Sequence, residues 1–138
     1  MTMKRYLIVV GILLLALVGV FTIVSCNNGT EETTGYTDLT PAEAQNLIAD
    51  NPDLIIIDVS PAYDQGHLPG AVSYPVGDGT LEAVIPTLDK DATYLVYCHV
   101  DSVAIQGALA LVDAGFTNVY RLEGNYSGWV DAGYPIEQ

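Results

Sequence analysis

Two short runs of large apolar residues constrain this chain more than any other feature. They are Leu54-Ile55-Ile56-Ile57, leading into Asp58-Val59, and Thr93-Tyr94-Leu95-Val96-Tyr97, leading into Cys98. A strand with one wet face alternates apolar and polar residues, and these runs do not. Each therefore reads as a strand buried on both faces, as in a parallel sheet covered by helices. Each also ends on a residue capable of chemistry, and in open parallel sheets ligands bind beyond the carboxyl ends of the strands. Asp58 and Cys98 are the two positions this singles out.

Helical signals separate the runs. Thr40-Pro41-Ala42-Glu43 has the form of a helix start, with Thr40 as N-cap, Pro41 in the first position and Glu43 closing a capping box. Ala44, Leu47 and Ile48 supply the apolar face, and Asn51-Pro52 ends the helix. A short strand is expected around residues 71–74, and a short helix interrupted by Pro86 over residues 81–88. Residues 102–114 have helical spacing through Ile105, Leu109 and Val112, with Gly115 as the stop. Asn118-Val119-Tyr120 reads as a last short strand, and a final helical turn carries Trp129. Strands alternating with helices of this length imply an α/β domain: a mostly parallel central sheet flanked by helices on both faces.

The first 25 residues follow a different rule. Lys4 and Arg5 precede an almost unbroken apolar run over residues 7–24, which ends in Ile23-Val24-Ser25-Cys26 and the polar stretch NNGTEETTG. A charged start, an apolar core and small residues at a boundary make a secretory signal. A cysteine at that boundary resembles the lipobox of bacterial-type lipoproteins, in which Cys26 would be lipidated and become the new N-terminus. An uncleaved anchor is the alternative, since about 18 apolar residues is near the minimum that spans a bilayer. Both give one topology, a domain tethered to the cell membrane on its extracytoplasmic side. The chain thus divides into a signal or anchor over residues 1–25, a flexible linker over 26–35 and a folded domain over 36–138.

All 17 carboxylates lie after residue 25, where only Lys90 and Arg121 remain as cations, a formal charge of 2 − 17 = −15. Such a surface repels nucleic acid, which is not expected as a partner, and disfavours polyanionic substrates at long range. It suits a domain facing a salty or cation-rich exterior, and first of all a solvated surface that only confers solubility. The two histidines, the single cysteine of the folded part and dispersed carboxylates form no metal-ligand constellation, and no cofactor is expected.

With Cys26 lipidated, Cys98 has no disulfide partner. A lone thiol outside the cytoplasm is either buried and inert or kept for its reactivity. Cys98 stands at a strand end leading into a helix, where backbone N–H groups form a cradle of positive partial charge that stabilises a thiolate. Position alone leaves the structural and reactive readings open.

The chain resembles the rhodanese-like, single-domain sulfurtransferase proteins over nearly all of residues 36–137. Tyr63-Asp64-Gln65-Gly66-His67-Leu68-Pro69-Gly70-Ala71 matches the family's YxxGHIPGA stretch. Ala114-Gly115-Phe116-Thr117-Asn118-Val119-Tyr120-Arg121-Leu122-Glu123-Gly124 matches its GF..V..L.GG...W segment, with Trp129 in place. The resemblance implies that Cys98 is the catalytic nucleophile, taking a sulfane sulfur from a donor as a persulfide and passing it to a thiol or other nucleophilic acceptor. It implies that His99, Val100, Asp101, Ser102, Val103 and Ala104 form the substrate-binding loop.

Departures from the family pattern bear on activity. The family loop often reads C-x-x-G-x-R, whereas here the glycine is Asp101 and the arginine Val103. An arginine that commonly follows the Asp-Val pair is missing, and the second glycine of the later Gly-Gly pair is Asn125. A carboxylate about 6 Å from a bound anion costs on the order of 0.7 to 3 kcal/mol per unit charge. Asp101 is therefore expected to weaken thiosulfate binding and to raise the Cys98 pKa, unless its carboxylate points to solvent or accepts bonds from nearby amides. His99 adjoins the cysteine but reads as a loop residue pointing elsewhere, and His67 as a structural hydrogen-bonding residue. Asn28-Gly29-Thr30 and Asn125-Tyr126-Ser127 fit the glycosylation pattern, which is common by chance. Two functions stay open: a sulfurtransferase with an altered loop, or a catalytically degenerate rhodanese fold serving as a binding module. A C-x5-R phosphatase is disfavoured, because Val103 and Ala104 stand where cations are needed.

Overall fold

The computed structural model describes residues 34–138. The apolar run over residues 7–24 and the lipidation candidate Cys26 lie outside the described residues.

Strand β1 (Thr37–Leu39) leads into helix α1 (Pro41–Asp50). The capping box forms as the sequence predicts: the Glu43 amide donates to Thr40 Oγ1, and the Thr40 amide donates to Glu43 at 2.9 Å. Strand β2 (Ile55–Asp58) follows, then a loop with a single 3-10 turn at Tyr63–Gln65, strand β3 (Val72–Ser73) and helix α2 (Thr80–Val84). A second 3-10 turn, Ile85–Thr87, accommodates Pro86. Strand β4 (Tyr94–Tyr97), helix α3 (Asp101–Asp113), strand β5 (Val119–Leu122) and helix α4 (Asn125–Asp131) complete the order.

The five strands form one parallel sheet in the order β1-β5-β4-β2-β3. The connection leaving β2 runs outward to the edge strand β3, and the one leaving β4 runs the opposite way to β5. The chain therefore changes direction between β2 and β4, which are paired in register with Ile55 opposite Tyr94 and Asp58 opposite Tyr97. A crevice opens beyond the carboxyl ends of the two strands at such a switch point. Asp58 and Cys98 stand at its lip.

Alternation along the central strands divides the core into two layers. Ile57, Val59, Tyr94, Val96 and Cys98 pack with Ala104, Ala108 and Leu111 of α3 on one face. Ile56, Leu95, Tyr97 and Leu122 pack with Ala44 and Trp129 on the other. The buried face of α3 differs from the expectation. Leu109 is exposed and Ile105 and Val112 are only partly covered, while Ala104, Gly107, Ala108 and Leu111 are buried. The reason is close approach: a Cβ on Gly107 would lie 2.9 Å from Val59 Cγ1. Small residues bring the helix down onto β2 and β4, and the larger side chains flank the contact.

Strand β1 has no counterpart in the sequence expectation. Its three residues are largely exposed, and it becomes a strand through pairing with β5.

Candidate active site

Cys98 is the first residue beyond β4 and is 2 % exposed. Its side chain continues the alternation of the strand and points into the layer under α3. Its backbone is held on both sides by helix α4: the Cys98 amide donates to Asn125 Oδ1 at 3.3 Å, and its carbonyl accepts from the Tyr126 amide at 3.0 Å. Burial pushes the thiol above its ordinary value. The N–H groups of Val100 and His99 favour the thiolate and oppose that shift, and the charge of Asp58 adds to it.

The stretch after Cys98 is shorter than a six-residue cradle. His99 and Val100 form a bend, and Asp101, Ser102, Val103 and Ala104 already make the first turn of α3. The amides of Val103 and Ala104 both donate to the Val100 carbonyl at 3.2 Å, so they face the helix rather than the sulfur. Val100 is exposed.

Asp101 takes the second of its two expected orientations, with its carboxylate accepting bonds, and Asp58 is the carboxylate that adds, as the smallest contribution, to the rise of the Cys98 thiol. Asp101 Oδ1 accepts from Arg121 Nη1 and, at 3.0 Å, from Asn125 Nδ2. Arg121 is buried in β5, and its Nε donates to Asp38 of β1 at 2.7 Å. A hydrogen-bonded chain thus runs Asp38–Arg121–Asp101–Asn125 and ends on the Cys98 amide. Burial works against the charge of Arg121, and the bonds to Asp38 and Asp101 more than offset it.

Asn125 has φ 56°, the left-handed region that Asn tolerates better than other non-glycine residues. It is buried with both ends of its amide engaged, which leaves no free acceptor for a glycan.

An open cleft of about 570 Å³ borders this chain of bonds, lined by His99, Asp101, Arg121, Glu123, Gly124, Asn125 and Ser127. The His99 ring stacks on Tyr126 with centroids 4.3 Å apart and planes 11° from parallel. His67 lies elsewhere: it stacks on Tyr63, its Nδ1 is 3.1 Å from the Tyr63 carbonyl, and its backbone pairs with Glu137.

The ordered motifs, the switch-point crevice and the cysteine at β4 agree with a match over residues 40–132 to the rhodanese-like domain. The chain belongs to the rhodanese-like domain family. It is 32 % identical over 97 residues to a thiosulfate sulfurtransferase GlpE of Pseudomonas fluorescens, covering 70 % of this chain and 86 % of that protein. A rhodanese-like domain from Anabaena sp. superposes with a TM-score of 0.65 at 28 % identity, covering 72 % of this chain and 77 % of that one. A polysulfide-sulfur transferase homodimer from Wolinella succinogenes gives a TM-score of 0.62 at 25 % identity, covering 75 % and 79 %.

In this rhodanese-like frame, Asp101 and Asn125 both stand where glycine is usual, and they touch each other. The two departures are one feature, a polar latch locked by Arg121. Sequence reasoning missed Arg121, Asn125, Tyr126 and Asp38 as residues of the site. Asn125 carried a usable signal, since a glycine position filled by Asn marks positive φ with a side chain to spend.

Proposed function

We propose that this chain is a membrane-anchored, extracytoplasmic rhodanese-like sulfurtransferase that carries sulfane sulfur as a Cys98 persulfide. The observation that carries the reading is the setting of Cys98. It is a cysteine at the carboxyl end of the central strand, beside the switch point, with the His99 and Val100 amides acting on its sulfur. In the reaction, the Cys98 thiolate attacks the outer sulfur of a donor R–S–SH. The donor S–S bond breaks, the thiol RSH departs with its proton, and Cys98–S–S⁻ remains. A nucleophilic acceptor then takes the outer sulfur and returns the Cys98 thiolate.

The donor is neutral or protein-borne rather than thiosulfate. Asp101 and Glu123 line the cleft, and Arg121 is committed to two carboxylates. Asp38, Asp101 and Glu123 outnumber the single guanidinium, so a dianion entering there meets net negative charge. The test is to treat the full chain in detergent with polysulfide or a small-molecule persulfide and weigh it. A gain of one sulfur atom, located on Cys98 by peptide mapping and absent there in Cys98→Ala, is expected. No gain on that peptide, or one that survives the substitution, overturns the reading. The anchor is tested separately by fatty-acid labelling in cells: Cys26→Ser abolishes incorporation if Cys26 is lipidated.

One observation favours a second reading, a degenerate rhodanese fold used as a binding module: the thiol is buried and its pKa is raised. That reading predicts a Cys98 that iodoacetamide alkylates no faster than a free cysteine at neutral pH, together with an acidic cleft that binds a basic partner.

A further inference from the structure

The polar latch satisfies its members; the crevice beside it does not. Two buried polar atoms among the described residues lack a hydrogen-bond partner, Asp58 Oδ2 and His99 Nε2. They face each other at 3.9 Å across the switch point between β2 and β4. Asp58 is fully buried, and its other oxygen accepts from the Ser60 amide at 2.8 Å. A buried carboxylate oxygen without a donor loses hydration with no return. Two donors stand near this carboxylate: the Tyr97 hydroxyl on the paired strand, which Asp58 holds in its protonated form, and the His99 ring nitrogen, within about 1 Å of bonding reach of the open oxygen.

The ring is already confined on its other side. It stacks on Tyr126, whose amide donates to the Cys98 carbonyl. Tyr126 in turn lies over Gly66, where a Cβ would come 2.1 Å from Tyr126 Oη, and the backbone there has φ 141°. The glycine of the GHLPGA motif thus leaves room for the residue that supports His99. The charged and titratable groups around the contact are Asp58 from β2, Tyr97 from β4, Asp101 from α3, Arg121 and Glu123 from β5 and the residue after it, and Tyr126 from α4, with Cys98 adjacent in the chain. Arg121 is bound to Asp38 and Asp101, so among the described residues no free cation stands between Asp58 and the thiol.

We propose that His99 is a positioning residue for Cys98: its Nε2–H donates to Asp58 Oδ2, clamping the ring between Asp58 and Tyr126 and holding the His99 and Val100 amides on the Cys98 sulfur. The bond also draws the Asp58 charge away from the thiolate. The contact stands independently of sulfur transfer; its consequence for reactivity rests on the Cys98 reading above.

The experiment uses ¹⁵N-histidine-labelled full chain in detergent. Wild type is expected to show His99 as the Nε2–H tautomer with a slowly exchanging ring proton. Asp58→Asn is expected to switch it to the Nδ1–H tautomer, because the Asn carbonyl stays on the Ser60 amide and its NH₂ turns to the ring. Iodoacetamide alkylation of Cys98 then reads the consequence. His99→Phe, which keeps the stacking but removes the donor, should slow alkylation about threefold at neutral pH and move its pH profile upward. His99→Gln, which keeps a donor, should recover part of the rate. A rapidly exchanging Nδ1–H tautomer in wild type, or an unchanged alkylation profile in His99→Phe, overturns the proposal. If Asp58→Asn does not fold, those two measurements still decide. Neither needs a sulfur donor, so absence of a persulfide adduct would leave this result standing.

Discussion

Two polar groupings flank Cys98, and they are built in opposite ways. Toward β5 and β1, Asp38, Arg121, Asp101 and Asn125 form a closed chain in which each charge has a partner. Toward β2, Asp58 and His99 leave a gap of 3.9 Å between two buried atoms. A satisfied network resists rearrangement, while an open pair at a crevice can change with protonation or with a bound substrate. The contrast teaches that the side carrying the unusual residues is the structural one. The ordinary-looking side faces the thiol electrostatically.

The largest effect is expected from opening the closed side. Arg121→Met strips two carboxylates of their partner. Breaking a fully buried pair costs about 3 to 5 kcal/mol, and here water can reach Asp38 and Asp101, whose side chains are 41 % and 62 % exposed. The expected loss is about 1 to 3 kcal/mol, read by denaturant unfolding of the full chain in detergent. A loss below the error of the measurement would mean that the latch does not hold the site.

That arrangement was only partly legible in the sequence. The two buried strands and the capping box at Thr40 could be read because their signals are local: unbroken apolar runs and a Thr-x-x-Glu spacing. The position of Cys98 beside Asp58 followed from strand ends in a parallel sheet. Strand β1 could not be read, since Thr37-Asp38-Leu39 has no pattern until β5 lies beside it. The helical spacing of α3 could be read, but its buried face could not, because Ala and Gly, whose lack of bulk lets the helix approach, carry no apolar signal beside the larger residues. The sequence left two orientations open for Asp101 because its partners are remote: Arg121 is 20 residues away in sequence and Asn125 is 24. A carboxylate's effect depends on where it points, and the sequence places only its backbone.

Asp101→Gly, the second prediction, restores the usual family residue and moves the closed side toward the open one. It removes a carboxylate from the cleft and frees one face of Arg121 toward it. The substitution is expected to raise thiosulfate-to-cyanide sulfur transfer about tenfold, equivalent to about 1.4 kcal/mol. Stability should fall by about 1 kcal/mol through the lost bonds and the glycine in the first turn of α3. If turnover is unchanged while stability falls, the latch governs folding alone, and the limit on thiosulfate lies in the missing cations.

The smallest effect tests the assignment of charge to the open side through alkaline pH. Burial, with Asp58 acting the same way, pushes the Cys98 thiol above its ordinary value of 9.0, against the amides of Val100 and His99. Above that value the unfolded chain releases the thiol proton first, so the folded state binds more protons and stability falls as pH rises. The contribution is fully present below pH 9.0 and is lost as pH climbs through the folded value. Tyr94 and Tyr97 are also raised by burial, from 10.0, so their losses begin later and the interval between pH 9 and 10 isolates the thiol. In that interval wild type should lose stability with pH, and Cys98→Ala should follow a flatter line. Asp101→Asn should keep the wild-type slope, because Asp101 faces Arg121 rather than the sulfur. A slope that changes with Asp101→Asn would return the charge to the closed side and reverse the division of labour between the two groupings.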